Sequence, residues 1–167
     1  MSFTDPIAKR IVEFLRDIGF SVVSESIDGE SFLPGILIRD GVIVVDRMKL
    51  TYPGDLLHEA GHLALADGKT RAALNNEVVL PGAQMEPIEA QVMAWSYAAA
   101  IHLGLDPKVV FHDGGYFGRS EGLLMNFTIG GYIGVNGLQE AGLTLFGKAA
   151  EENGLPPYPH MIKWLRD

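Results

Sequence analysis

Two periodicities of apolar residues divide this chain into elements. Ile7, Ile11, Phe14, Leu15 and Ile18 fall on one helical face, opened by Thr4-Asp5-Pro6 and closed by Gly19. Phe20–Ser24 reads as a short strand, and Asp28-Gly29 marks a turn. Ile36–Val45 alternates and breaks at Asp40-Gly41, the signal of a β-hairpin. A second helix is predicted over 53–66, with Leu56, Ala60, Leu63 and Ala64 on one face. Thr51 is its expected cap, Asp55 lies in its first turn, and Gly68 is expected to end it. Gly61 stands inside this helix, where glycine costs ~1 kcal/mol relative to Ala, so a neighbour is expected to approach the backbone closely.

Residues 69–84 read as a loop or short helix at the rim of a cleft. A third helix follows, with Pro87 in its first turn and Glu89, Met93, Ser96, Tyr97 and Ala100 sharing a stripe. Residues 114–142 crowd glycines, and no charge falls between Gly122 and Gln139. Asn126, Thr128 and Asn136 make this stretch too polar for a membrane span, so close-packed helices or a buried strand are expected, with a mobile lid as the alternative. Leu138, Ala141, Leu145, Phe146 and Ala149 suggest a last amphipathic helix ending near Asn153-Gly154. An extended Pro156–Pro159 segment then leads to an apolar tail of Met161, Ile162, Trp164 and Leu165 that should dock on the core. The fold class is α+β, a small sheet packed on helices with a helical C-terminal part.

The 167 residues suffice for one domain with a sizeable core, over 1–167, comprising a core at 35–105 and a glycine-rich helical cover at 106–167. A net charge of −8 disfavours nucleic acid as a partner. The absence of cysteine rules out disulfides and thiolate metal sites, so any metal must be held by imidazole and carboxylate. Asp5, Lys9 and Arg10 interrupt any leader-like apolar run, and a cytoplasmic location is expected, with no membrane partner.

The chemistry concentrates in His58-Glu59-Ala60-Gly61-His62. Imidazoles four residues apart on a helix lie about one turn, ~5.4–6 Å, apart on the same face. Both can reach one metal ion at ~2.0–2.1 Å, while Glu59 sits beside it, placed to take a proton from a water the metal activates. H-E-x-x-H is the signature of zinc peptidases. Zinc is the expected cofactor, although imidazole and carboxylate do not discriminate strongly among divalent ions.

A catalytic site needs a third protein ligand. The long form of the motif would carry glycine at position 65 and histidine at 68; Leu65 and Gly68 stand there instead. The candidates are the carboxylates of the following helix. Glu89 faces inward among apolar residues, where a metal ion would partner it; Glu86 suits a solvated first-turn acid. The oxyanion formed in hydrolysis also needs a donor. His112, in a turn-like loop, and Tyr97 are the candidates, with Tyr116, Tyr132 and His160 as others; His102 reads as a helix-end charge partner.

His58–His62 followed by Glu89-Ala90-Gln91-Val92-Met93-Ala94, with a hairpin ahead of both, resembles the ImmA/IrrE-type metallopeptidases over roughly residues 35–100. Gln91 replaces that family's usual Asn or Asp, Trp95–Ala100 replaces its apolar helix end, and no segment resembles its helix-turn-helix domain. The resemblance implies a zincin-like fold of gluzincin type, with His58, His62 and Glu89 as metal ligands and Glu59 as general base. It implies a zinc-dependent peptidase acting on a peptide or protein substrate. The hairpin edge is a candidate for binding extended substrate, or else a purely structural hairpin. The alternative function is a non-catalytic zincin-like metal-binding module for protein interaction, working through the glycine-rich region.

Overall fold

Asp5 accepts hydrogen bonds from the N–H groups of Ile7 and Ala8, at 2.7 and 3.3 Å, and Pro6 follows it, so α1 runs Pro6–Asp17 as the sequence predicts. The structure is a computed structural model that describes residues 3–29, 31–75 and 85–167, with only the backbone at 85 and 86. Three strands form one sheet: β1 (Val22–Ser24), β2 (Ile36–Arg39) and β3 (Val42–Val45), in the order β1-β3-β2. β1 runs parallel to β3 and β2 antiparallel to it, with Ile38 opposite Ile43. Asp40 and Gly41, at φ 48° and 73°, make the two-residue turn between them.

α2 (Asp55–Leu65) buries Leu56, Ala60, Leu63 and Ala64, the predicted face, and Leu57 besides, in a core shared with α1 and the sheet. Its ends differ from expectation. Thr51 does not cap it, because its Oγ1 donates to the Lys49 carbonyl at 3.2 Å; Gly54 stands at the cap without a side-chain bond. Gly68 does not end it either. Ala66 is extended, and the Asp67 side chain accepts from the N–H groups of Lys69 and Thr70, so Gly68 starts a short α3 (Gly68–Arg71). The remainder of the expected cleft rim, 76–84, lies outside the described residues.

α4 (Met85–His102) crosses α2 closely. A Cβ on Gly61 would lie 3.0 Å from Val92 Cγ1 and 3.5 Å from Ser96 Oγ, which is the close approach the mid-helix glycine signals. The fully buried Ser96 hydroxyl lies 3.1 Å from the Leu57 carbonyl across the crossing and 2.8 Å from the Val92 carbonyl on its own helix, tying the two together.

The C-terminal part follows as 3₁₀ turns at 107–109 and 116–118, then α5 (Ser120–Thr128), α6 (Val135–Glu140) and α7 (Lys148–Asn153). Among the described residues the glycine-rich stretch thus forms short helices and turns rather than a buried strand, and no helix is long and apolar enough to cross a membrane. The single last helix expected from Leu138 to Ala149 is instead two. Between them Gly142 and Gly147 take φ of 72° and 55°, and buried Thr144 pairs with Met161, its hydroxyl donating to the His160 carbonyl at 2.6 Å. That pairing satisfies backbone that a continuous helix would have to bend around. The tail docks as expected. Trp95 Nε1 donates to the Trp164 carbonyl at 2.9 Å, Trp164 stands edge-on to Phe14 at 4.9 Å, and the Arg166 N–H donates to the Ala64 carbonyl at the end of α2. Ile162 is the exception, remaining exposed. Residues of α1, the sheet, α2, α4 and the C-terminal part belong to one apolar cluster.

Two tests follow from this packing. Gly61→Val should lower the unfolding free energy by about 1–3 kcal/mol in urea denaturation, because overpacking at Val92 cannot be relieved without separating the helices. Gly61→Ala should be near neutral, its gain of ~1 kcal/mol in helix propensity offsetting the tight contact. The second concerns Asp46, whose carboxylate accepts from the N–H groups of Ile27 and Met48, each at 3.0 Å. Those bonds, Ile27's foremost, hold its pKa below the ordinary value. A lowered folded pKa gives stability that is complete above the unfolded value of about 3.9 and is lost as pH falls through the folded one. Thermal melts of wild type should therefore fall more steeply below about pH 4 than those of Asp46→Asn.

Candidate metal centre

The α2–α4 crossing decides which side chains meet. His58 and His62 leave the same face of α2, and Glu89, on the N-terminal part of α4, lies opposite both. His62 Nε2 is 3.3 Å from His58 Nε2. Glu89 Oε1 is 3.2 Å from His62 Nε2, and Glu89 Oε2 is 3.4 Å from His58 Nε2. These three residues form a group that could hold a metal ion. For a tetrahedral ion with bonds of ~2.0–2.1 Å, adjacent ligand atoms sit about 3.3–3.4 Å apart. The observed separations fall on that edge length, so the donors present fit such an ion. Their side chains are 17, 32 and 32 % exposed, which leaves one side of the group open to solvent. A closed structural site would wrap its ion in four protein ligands. For Glu86 only the backbone is described, and its side chain lies outside the described residues.

The charges on these groups are coupled. Burial pushes the Glu89 carboxyl up, but hydrogen bonds from His58 and His62 outweigh it and hold Glu89 well below the usual carboxylate range. Burial pushes His62 down, and the hydrogen bond and charge of Glu89 reverse that, leaving it raised. Glu59 is raised by burial, which the nearby His62 and His58 offset only in part. The group thus combines an ionised carboxylate, two imidazoles and a second, more basic carboxylate beside them.

The donors named from the sequence are placed as follows. Among the described residues it is Tyr116 that touches the triad, its hydroxyl 3.2 Å from His58 Nδ1, with the rings 5.9 Å apart at a steep angle. Burial, then Asp55 and Glu89, push the Tyr116 phenol up. His112 comes to the N-terminal end of α2, where its Nε2 is 2.8 Å from Asp55 Oδ1 and its ring stacks on Tyr52 at 3.9 Å. Its Nδ1 is buried without a hydrogen-bond partner. Tyr97 lies about 12 Å along α4 from Glu89, by the helical rise. It packs there with Phe111, Phe127, Tyr132 and Tyr158, so the structure spends Tyr97 and Tyr132 on an aromatic cluster. His160 is exposed beside Trp164 in a shallow hollow, and His102 packs on Phe14 and Trp164 at the end of α4. Gln91 lies against Gly137 of α6. The Asp55–His112 pair was not read from the sequence, and no signal there joins residues 57 apart.

The site predicts its own occupancy. Purified protein should carry one divalent ion per chain by elemental analysis. His58→Ala, His62→Ala and Glu89→Ala should each weaken binding by more than the ~10–100-fold typical of losing an outer partner. No family model, curated protein or solved structure matches this chain.

Proposed function

We propose that the chain is a zinc-dependent peptidase of zincin type, hydrolysing a peptide bond in a peptide or protein substrate. The observation that carries this reading is the triangle of His58, His62 and Glu89 with a solvent-open side and a raised, half-buried carboxylate, Glu59, next to it. The motif residues that resemble the ImmA/IrrE-type peptidases support it.

His58, His62 and Glu89 would hold the ion. When bound, zinc would supply Lewis acidity, bringing the pKa of a water toward ~7 and polarising the scissile carbonyl. Glu59 is the general base. It takes a proton as the water oxygen bonds to the carbonyl carbon, and it returns that proton to the departing amine nitrogen as the C–N bond breaks. Burial suits Glu59 to this exchange, because a more basic carboxylate accepts the first proton more readily. A purely structural site has no use for a carboxylate beside its ligands. Ionised Glu89 offsets part of the charge of a divalent ion and suits a ligand role, so the two glutamates divide the work through their surroundings.

Glu59→Gln separates chemistry from binding. The variant should retain wild-type metal content by elemental analysis and cleave a peptide library ~10²–10⁴-fold more slowly. If wild type and variant hold equal metal and neither cleaves any member, the peptidase reading fails and the non-catalytic module stands.

A further inference from the structure

A ligating imidazole has two nitrogens, and the one facing away from the ion needs a hydrogen-bond partner to fix the ring and its tautomer. Glu89 and His62 face His58 Nε2; Tyr116 faces His58 Nδ1 at 3.2 Å. The residues that bring Tyr116 there form a braced loop. Tyr116 and Phe117 are at φ 55° and 53°, left-handed backbone that side-chain-bearing residues avoid, and Gly118 continues the run at 78°. Such backbone persists only where its surroundings over-determine it.

The surroundings do so through four side chains. His112 Nε2 meets Asp55 in the first turn of α2, one turn before His58. Tyr52 stacks on the His112 ring. The Ser120 hydroxyl lies 2.6 Å from the His112 carbonyl and 3.1 Å from the Gly115 carbonyl, closing the loop at its base. Phe111 packs against the Tyr116 ring at 5.5 Å. The next side chain, Phe117, is 95 % exposed, so apolar burial at 117 does not account for the strained run. What the run achieves is the aim of the Tyr116 hydroxyl.

We propose that Tyr116 is the positioning residue of this metal centre: its oxygen accepts the Nδ1–H of His58, fixing the tautomer that turns the Nε2 lone pair toward the ion. The inference rests on the metal-site reading and adds a residue to it. Accepting that bond leaves the Tyr116 hydroxyl proton free to point elsewhere. His112 and Asp55 act one step further out, holding the loop to the helix that bears the ligand.

The test uses the full chain, stripped of metal and titrated with Zn²⁺ against a competing chelator and with Co²⁺ for its visible spectrum. Tyr116→Phe should bind Zn²⁺ ~10–100-fold more weakly and shift the Co²⁺ absorption bands. Its metal-free melting temperature should match wild type, because the ring packing is retained. Phe117→Ala, a change in the same loop, should alter neither readout. Independently of any variant, ¹⁵N shifts of the zinc-loaded wild type should show His58 protonated at Nδ1. Tyr116→Phe with wild-type affinity and an unchanged Co²⁺ spectrum overturns the inference alone, as does a His58 Nδ1 without its proton. Wild type that takes up neither ion overturns the metal reading itself.

Discussion

The close crossing of α2 and α4 at Gly61 is the constraint from which the site follows. Glu89 faces the imidazoles across a crossing at which α2 offers no side chain to α4, and a Cβ on Gly61 would press on Val92. Val92 fills the space that a larger residue would take, and Ser96 satisfies its hydroxyl on backbone carbonyls from both helices. A fully buried hydroxyl with no partner would be costly, so this bond also discourages other registers of one helix on the other. Trp95, fully buried beside Ser96, and Tyr158, whose hydroxyl donates to the Ala94 carbonyl at 2.8 Å, hold α4 from its other sides.

The site gathers groups that would be poorly placed without an ion. Two imidazole nitrogens 3.3 Å apart cannot both direct lone pairs at one another without repulsion, and one carboxylate answers both rings. Glu89 meets this by remaining ionised against its own desolvation. Glu59, one residue from His58, experiences the opposite balance, with burial dominant. Sequence position alone would give the two glutamates the same acidity. The fold separates them by giving one hydrogen-bond donors and leaving the other with burial as its main influence.

The C-terminal part acts as a clamp on the site. The tail secures the far end of α2 through the Arg166–Ala64 backbone bond and α1 through Trp164. The loop of 112–120 secures the near end of α2 through Asp55. The helix that carries His58 and His62 is therefore fixed at both ends by chain that follows it by some fifty to a hundred residues. This is a reason for the glycine-rich region to be packed into the same core.

The sequence by itself determined the local elements and the first two members of the candidate metal group. Asp5-Pro6, Asp40-Gly41 and the apolar stripe of α2 act over a few residues, and the four-residue spacing of His58 and His62 puts both rings on one face whatever surrounds the helix. It also marked Gly61 as a point of contact and Glu89 as an inward carboxylate, since each carries a cost that only a neighbour can relieve. Helix ends were less legible at 51–54 and 66–68, where Thr51 and Asp67 had competing backbone partners. The last helix was misread because apolar spacing from Leu138 to Ala149 gives no hint that Thr144 pairs with Met161. Only the tertiary structure decided that Tyr116 rather than Tyr97 meets His58, and that His112 answers Asp55. Those contacts join residues more than fifty positions apart, and their geometry depends on left-handed backbone at 116–118 that no spacing rule encodes.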